Sequence, residues 1–407
     1  MIRSPAVIRR LLSTSSSTQG EDRTKYLSPS LDTFKLFETP LVIKRGKGQY
    51  LWDDKGKKYI DLFGHNMVVS IGHADPRITK RVTKQLRTLP HCSTVFHNPM
   101  PERLAQKLIE TFPRHPSGED WVAHFVNSGS EAVDLAVRMA QAHTNSTQVT
   151  SLKHSYHGLQ GLAADMTYVT RVVEEDDFVC AKSPHNVVKS DTIIFEPIQG
   201  YGGVLPLEPE FVYALRKNSK VLIADEVQTG MGRTGLGMWG FLQFGEVNTP
   251  DIVVCAKGLG NGVGLIAGVV SRRSIADSFA KQTFFNTYGS NPTACAAALE
   301  VLRIIEADDL IESNYCKGRI FKQGLKELIS GKVRGDGLML GLEFRDTNFA
   351  SWFQRRLLKN YNIIVGRGGK DKNIIRIQPP FCISDRDIKY CIESMKDLHG
   401  GVLFAKQ

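Results

Sequence analysis

Two short stretches of this chain end apolar runs on charged residues. In "VLIADEVQTGMGRTG" (221–235) the run Val221–Ala224 stops at Asp225 and Glu226, and 32 residues beyond Asp225, in "DIVVCAKGLGNG", another run stops at Lys257. A carboxylate at the tip of a buried strand is costly unless a cation meets it. A protonated ring nitrogen on a bound heteroaromatic would be such a cation. A lysine in a desolvated crevice sheds its proton readily and can add to a carbonyl as a Schiff base. "NSGSEA" (127–132) brings small residues and free backbone N–H groups to a helix start, which suits a phosphate. Tyr156, in "SYHG", offers a flat face on which a ring could stack. Each element alone has a plainer reading. Ser and Gly are ordinary capping residues, an aromatic after a strand fills a core, and a lone lysine belongs on a surface.

The surrounding elements decide whether these residues can meet. "WVAHFV", "VTSL", "TIIF", "VLIA", "DIVVCA" and "LIAGVV" read as short strands, and "PERLAQKLIETF" and "SEAVDLAVRMAQAH" read as helices. Continuous apolar strands alternating with helices predict an α/β fold with a mostly parallel sheet. In such sheets ligands gather beyond the carboxyl ends of the strands. "NSGSEA", "SYHG", "EPIQG", Asp225 and Lys257 all follow strands directly. One crevice is therefore expected to collect a phosphate loop, a ring-stacker, a pyridinium partner and a Schiff-base lysine, which together are what pyridoxal 5'-phosphate requires. "GLGNGVG" imitates a dinucleotide motif, but it follows Lys257 directly and no acid-tipped strand comes after it.

The predicted organisation is a leader over 1–20, an N-terminal segment over 21–75 that joins a small domain, a large cofactor-binding domain over 76–295, and a smaller α+β domain over 296–407. The 407 residues are 42% hydrophobic, enough for a sizeable core. The net charge is +10, but the basic residues are scattered, which argues against nucleic acid as a partner. The first twenty residues hold three arginines, many serines and no acid, as in a transit peptide to the mitochondrial matrix. No run approaches a membrane span. Seven dispersed cysteines without CxxC fit a reducing compartment. His91, Cys92 and His97 lack a second ligand cluster, so no metal is expected.

In this order "GHADP", "NSGSEA", "YHG", "EPIQG", "ADEVQTGMGRTG", "PDIVVCAKG", "NTYGSNPTACAAALEVL" and "RGDGLMLGLEF" resemble the class III, fold type I, pyridoxal phosphate-dependent aminotransferases, over about residues 37–395. "STVFHNP", "FNTYGSNP", "IIVGRG" and "IRIQPPFCI" look most like the branch that acts on alanine and glyoxylate. The resemblance implies a ping-pong transaminase working through a Lys257 Schiff base, with Asp225 on the pyridine nitrogen. Gly129 and Ser130 would bind the phosphate. So would Thr287, reaching from a neighbouring subunit, which implies a homodimer or a dimer of dimers. Tyr156 and Val227 would flank the ring, Gln228 would reach its hydroxyl, and Arg376 would grip the substrate's α-carboxylate. Relatives that use dicarboxylates carry a glutamate at the position of Tyr201 and an arginine at that of Leu159. The missing glutamate implies direct binding of the α-carboxylate, and the missing arginine implies small oxo-acid acceptors such as glyoxylate or pyruvate. The segment between Gly158 and Glu196 looks short for the family, and His65 in "LFGHNMVVS" has no assigned role. A phospho-lyase acting on a phosphorylated amine and a non-catalytic binding protein are the rival readings.

Overall fold

The computed structural model describes residues 26–32, 36–37, 40–167, 187, 189–326 and 332–404. The basic leader and most of the segment between Gly158 and Glu196 lie outside the described residues. By its internal contacts the chain divides into Met1–Leu41 and Val42–Gln407. The first unit contributes a 3₁₀ turn at Pro29–Asp32.

The second unit begins with a meander of β1 (Ile43–Lys47), β2 (Tyr50–Asp53) and β3 (Lys58–Asp61). The large sheet follows. It takes β4 (Trp121–Val126), β5 (Val149–Thr150) and β6 (Ser190–Phe195), then, past a hairpin of β7 (Ile198–Gln199) and β8 (Leu205–Pro206), β9 (Ser219–Asp225), β10 (Ile252–Cys255) and β11 (Ala267–Arg272). Its order is β4-β11-β10-β9-β6-β5. The β5–β6, β6–β9 and β9–β10 pairs are parallel. The strand expected at "LIAGVV" forms, but it runs antiparallel to both β10 and β4. The reason is the link: Ala256–Ile266 is too short for the helical crossover that a parallel neighbour needs.

The strand runs are continuously apolar because both faces of the sheet are covered. Val221 and Ile223 of β9, with Ile252 and Val254 of β10, pack in one core with Ala132, Val133 and Ala136 of helix Gly129–Thr144. Leu222, Ala224, Val253 and Cys255 point the other way, into a core shared with Trp239, Phe241 and helix Pro292–Ala307. The period-2 alternation of each strand thus feeds two cores. A smaller antiparallel sheet, β12 (Val333–Asp336), β13 (Met339–Glu343), β15 (Gly366–Gly368) and β16 (Ile374–Ile377), runs in the order β12-β13-β16-β15. β14 (Ile363–Ile364) instead joins β3 in parallel. Helices Leu310–Lys326 and Thr347–Tyr361 belong to the same C-terminal α+β part.

Candidate active site

The carboxyl ends of the parallel strands border a cavity of about 270 Å³. Gly129, Ser130, Tyr156, Asp225, Val227, Gln228 and Lys257 all line it, so seven of the predicted residues come together. The floor is the N-terminus of helix Gly129–Thr144. Ser128 caps it, its hydroxyl accepting from Glu131 N at 3.3 Å. The first backbone N–H groups stay available to an anion. Two glycines keep this cradle open. A Cβ on Gly129 would sit 3.2 Å from a Val227 methyl, and one on Gly158, whose φ is +117°, would lie 2.2 Å from Ser130 Oγ.

The two adjacent acids at the tip of β9 do different work, because successive residues point to opposite sides. Asp225 faces the cavity. Its Oδ1 accepts from Val227 N at 3.0 Å, and its Oδ2 accepts from His157 Nδ1 at 2.7 Å. Glu226 turns away and is almost fully buried. It accepts from Thr229 Oγ1 at 2.5 Å, Gly240 N at 2.9 Å and Phe241 N at 2.6 Å, tying down the loop after β9. Burial pushes its carboxyl up to about 7. Sequence reasoning missed His157, although "SYHG" displays it. Its side chain is fully buried, and its Nε2 has no protein partner.

Lys257 follows β10 with a φ of +44°, and it lines the cavity. Burial, with the Arg376 charge adding to it, lowers its ammonium to about 8. Glu196, at the end of β6, accepts from Tyr156 N at 2.9 Å and Gly200 N at 3.1 Å, and burial lifts its carboxyl to about 7. Tyr156 stacks on Tyr201, with ring centroids 5.3 Å apart and planes at 25°.

Two predicted residues stand apart from the cavity wall. Arg376, on β16, is buried behind Gln228. Its Nη2 donates to Gln228 Oε1 over a long 3.4 Å, and its Nε has no partner. Burial brings its guanidinium down to about 10. Thr287 is exposed, next to Asn286, whose Nδ2 donates to Glu131 Oε2 at 3.0 Å at the cradle's edge. Within one chain it does not reach the cavity.

These groups fit pyridoxal phosphate on their own chemistry. A helix N-terminus faces the cavity at one end, a histidine-buttressed carboxylate at another, and a lysine with a depressed pKa between them. The aminotransferase class-III family model matches residues 35–172 and 179–398. The chain belongs to the class-III aminotransferases. It is an enzyme of that family and its cofactor is pyridoxal phosphate. Among similar proteins, the Arabidopsis thaliana "Alanine--glyoxylate aminotransferase 2 homolog 2, mitochondrial" is 33% identical over 92% of this chain and 85% of its own length. An acetylornithine aminotransferase of Prochlorococcus marinus is 35% identical over 88% of this chain and 90% of its own. An Arthrobacter phospholyase solved with phosphoethanolamine superposes with a TM-score of 0.81 at 25% identity, covering 97% of this chain and 99% of its own.

Proposed function

We propose that this class-III aminotransferase moves an amino group from alanine or a similar small amino acid to a small oxo acid, glyoxylate or pyruvate, by a ping-pong cycle. The observation that carries this reading is an imbalance of charge around the cavity. Arg376 is a buried cation whose Nε has no hydrogen-bond partner and which forms no ion pair among the described residues, although the Glu196 charge favours its protonated form, while Leu159 is apolar and Tyr201 is stacked on Tyr156. One carboxylate is provided for, and at Leu159, where the dicarboxylate-using relatives place an arginine, no second cation stands.

When bound, pyridoxal phosphate supplies the carbonyl that receives the amino group and a ring that takes up the electron pair released at the substrate's Cα. The protein's own groups supply the rest. The N–H groups at the start of helix Gly129–Thr144 hold the phosphate. Asp225 keeps the proton on the ring nitrogen, and His157 fixes the Asp225 carboxylate in place. Lys257 Nζ would hold the cofactor at its carbonyl carbon and, once the substrate's amine takes that place and frees it as a neutral amine, would take the Cα proton and return it one carbon away, a positioned transfer worth roughly 10²–10⁴-fold. Arg376 grips the α-carboxylate with its fork, which orients the Cα–H bond toward Lys257. Residues 76–295 would carry the cofactor and 296–407 the substrate arginine.

A second copy of the chain completes this reading as a homodimer or a dimer of dimers. Val95, Phe96, Leu265, Phe285 and Tyr288 are exposed, and Leu265 also lines the cavity, so a neighbour covering them would close the site and could bring its Thr287 to the phosphate. The basic, acid-free first twenty residues and the mitochondrial name of the Arabidopsis relative support a place in the matrix. Among the described residues no helix is long and apolar enough to cross a membrane.

The likeness to the Arthrobacter phospholyase favours one rival, a lyase on phosphorylated amines. One panel separates the two: alanine, β-aminoisobutyrate and phosphoethanolamine as donors, with and without glyoxylate. Turnover of alanine that requires glyoxylate is expected. Release of ammonia and phosphate from phosphoethanolamine without an oxo acid overturns the proposal.

A further inference from the structure

Asp61, His65 and His73 take no part in this chemistry, yet the fold brings them together. Their ligand atoms, one carboxylate oxygen and two ring nitrogens, all lie within 4.8 Å of one another. Asp61 ends β3, and its carboxylate is held rigidly: Oδ1 accepts the N–H groups of Phe63 and Gly64, both at 2.9 Å. The chain then makes a left-handed turn, with φ of +55°, +49°, +59° and +65° at Gly64, His65, Asn66 and Met67. Three of these are not glycine, and each costs roughly 1–2 kcal/mol in that conformation. The turn sets the His65 ring edge-on to His73, with centroids 5.3 Å apart and planes at 80°. His73 is fixed independently. Its backbone pairs with Gly48 through two hydrogen bonds of 2.9 Å, and a Cβ on Gly46 would come within 2.8 Å of its side chain. Its Nε2 is 2.9 Å from Asp61 Oδ2. Asp61 is buried and His73 nearly so, whereas His65 is exposed and leaves the solvent side open.

We propose that Asp61, His65 and His73 form a binding site for a divalent transition metal, with zinc the best match. Two imidazoles and a carboxylate are borderline donors that suit zinc and its neighbours rather than calcium or magnesium. Three protein ligands with water in the fourth position make a tetrahedral site. With bonds of about 2.0–2.1 Å, tetrahedral ligands stand roughly 3.3 Å apart. Asp61 and His73 are already that close, and His65, at the surface, has only to swing inward. The metal would replace the Asp61–His73 hydrogen bond, while Phe63 and Gly64 hold the other carboxylate oxygen as outer-shell donors. The turn runs directly into Met67, packed on Ile198, Val204 and Met339, and into Val68, which lines the cavity. A bound ion would therefore tie down the stretch beside the active site.

The three residues differ from the expectation that no metal is held. They are separated in sequence, and the left-handed turn at His65 together with the pairing of His73 on Gly48 gathers them. The test is equilibrium dialysis of the full-length holoenzyme against zinc after chelator treatment, read by atomic absorption, for the wild type, His65→Asn and His91→Asn. One zinc per chain is expected in the wild type and in His91→Asn, with affinity at least about tenfold lower in His65→Asn. The visible absorbance of the bound cofactor is expected to be unchanged in His65→Asn, which shows that it folds. Absence of stoichiometric zinc, or binding undiminished in His65→Asn, overturns the proposal.

Discussion

Arg376 offers the sharpest perturbation, because among the described residues no ion pair holds it. Its one hydrogen bond to a side chain, to Gln228, is 3.4 Å long, its Nε is orphaned, and burial has brought its guanidinium down to about 10. At pH 7.5 it is still protonated, since the ambient pH lies well below that value. A substrate carboxylate would supply the missing anion as a desolvated, hydrogen-bonded charge pair. Truncating one member of such a pair costs about 2–5 kcal/mol. At about 1.4 kcal/mol per decade this is roughly 30-fold to several thousand-fold in kcat/KM. Arg376→Ala should therefore lose that much toward glyoxylate, pyruvate and 2-oxoglutarate alike. A simple aldehyde such as propanal has no carboxylate and should lose almost nothing. The assay is the single-turnover reaction of the pyridoxamine form with each acceptor. The buried charge and its desolvation cost are removed together, while the shortened side chain leaves a cavity, so the thermal midpoint of the variant should shift little compared with the loss of activity. A loss under about threefold with every oxo acid, or an equal loss with propanal, would refute the carboxylate-gripping role.

Three further outcomes follow from the same geometry. Only the neutral amine of Lys257 can add to the cofactor carbonyl, and its ammonium is lowered from the usual value to about 8. Capture of pyridoxal phosphate by the cofactor-free enzyme should therefore fall about tenfold per unit below pH 8 and level off above it; a stopped-flow profile still climbing tenfold between pH 9 and 10 would contradict this. Asp225→Asn should cut turnover by orders of magnitude with the fold intact, and His157→Asn should give a smaller loss in kcat with little change in KM, because the hydrogen bond of the His157 side chain goes to the Asp225 carboxylate. Glu226→Ala strands the Thr229 hydroxyl and the N–H groups of Gly240 and Phe241, at roughly 1–3 kcal/mol for each buried donor, so its urea midpoint should drop clearly while Glu226→Gln loses less.

Much of the site could be read before the fold because its parts follow strands. An apolar run buried on both faces followed by a charge is a strong local signal, and Asp225 and Lys257 both carried it. The sequence could not divide the labour between Asp225 and Glu226, since which of two adjacent acids faces the cavity depends on strand orientation. His157 was hidden beside Tyr156, and its role appeared only when β5 and β9 were brought into one sheet. The reversal of β11 depends on the length of a link rather than on composition. Arg376 lies more than a hundred residues beyond the last residue that lines the cavity, and only the family resemblance pointed to it. Thr287 is exposed in a single chain, so its expected contact depends on a second copy. The left-handed turn at Gly64–Met67 had only a weak sequence signal, since Gly, His and Asn tolerate positive φ without requiring it.

The central claim is the choice of acceptor, and it is tested most directly in the unmodified enzyme. The pyridoxamine form should be mixed in turn with glyoxylate, pyruvate and 2-oxoglutarate, and the return of the pyridoxal absorbance timed at several concentrations of each. With Arg376 as the cation for the α-carboxylate, and Leu159 where a second cation would be needed, glyoxylate or pyruvate should exceed 2-oxoglutarate by about tenfold or more in specificity, the lower end of the loss expected for an unmatched buried carboxylate. A faster reaction with 2-oxoglutarate than with either small acid would contradict the account and require another cation for the distal carboxylate.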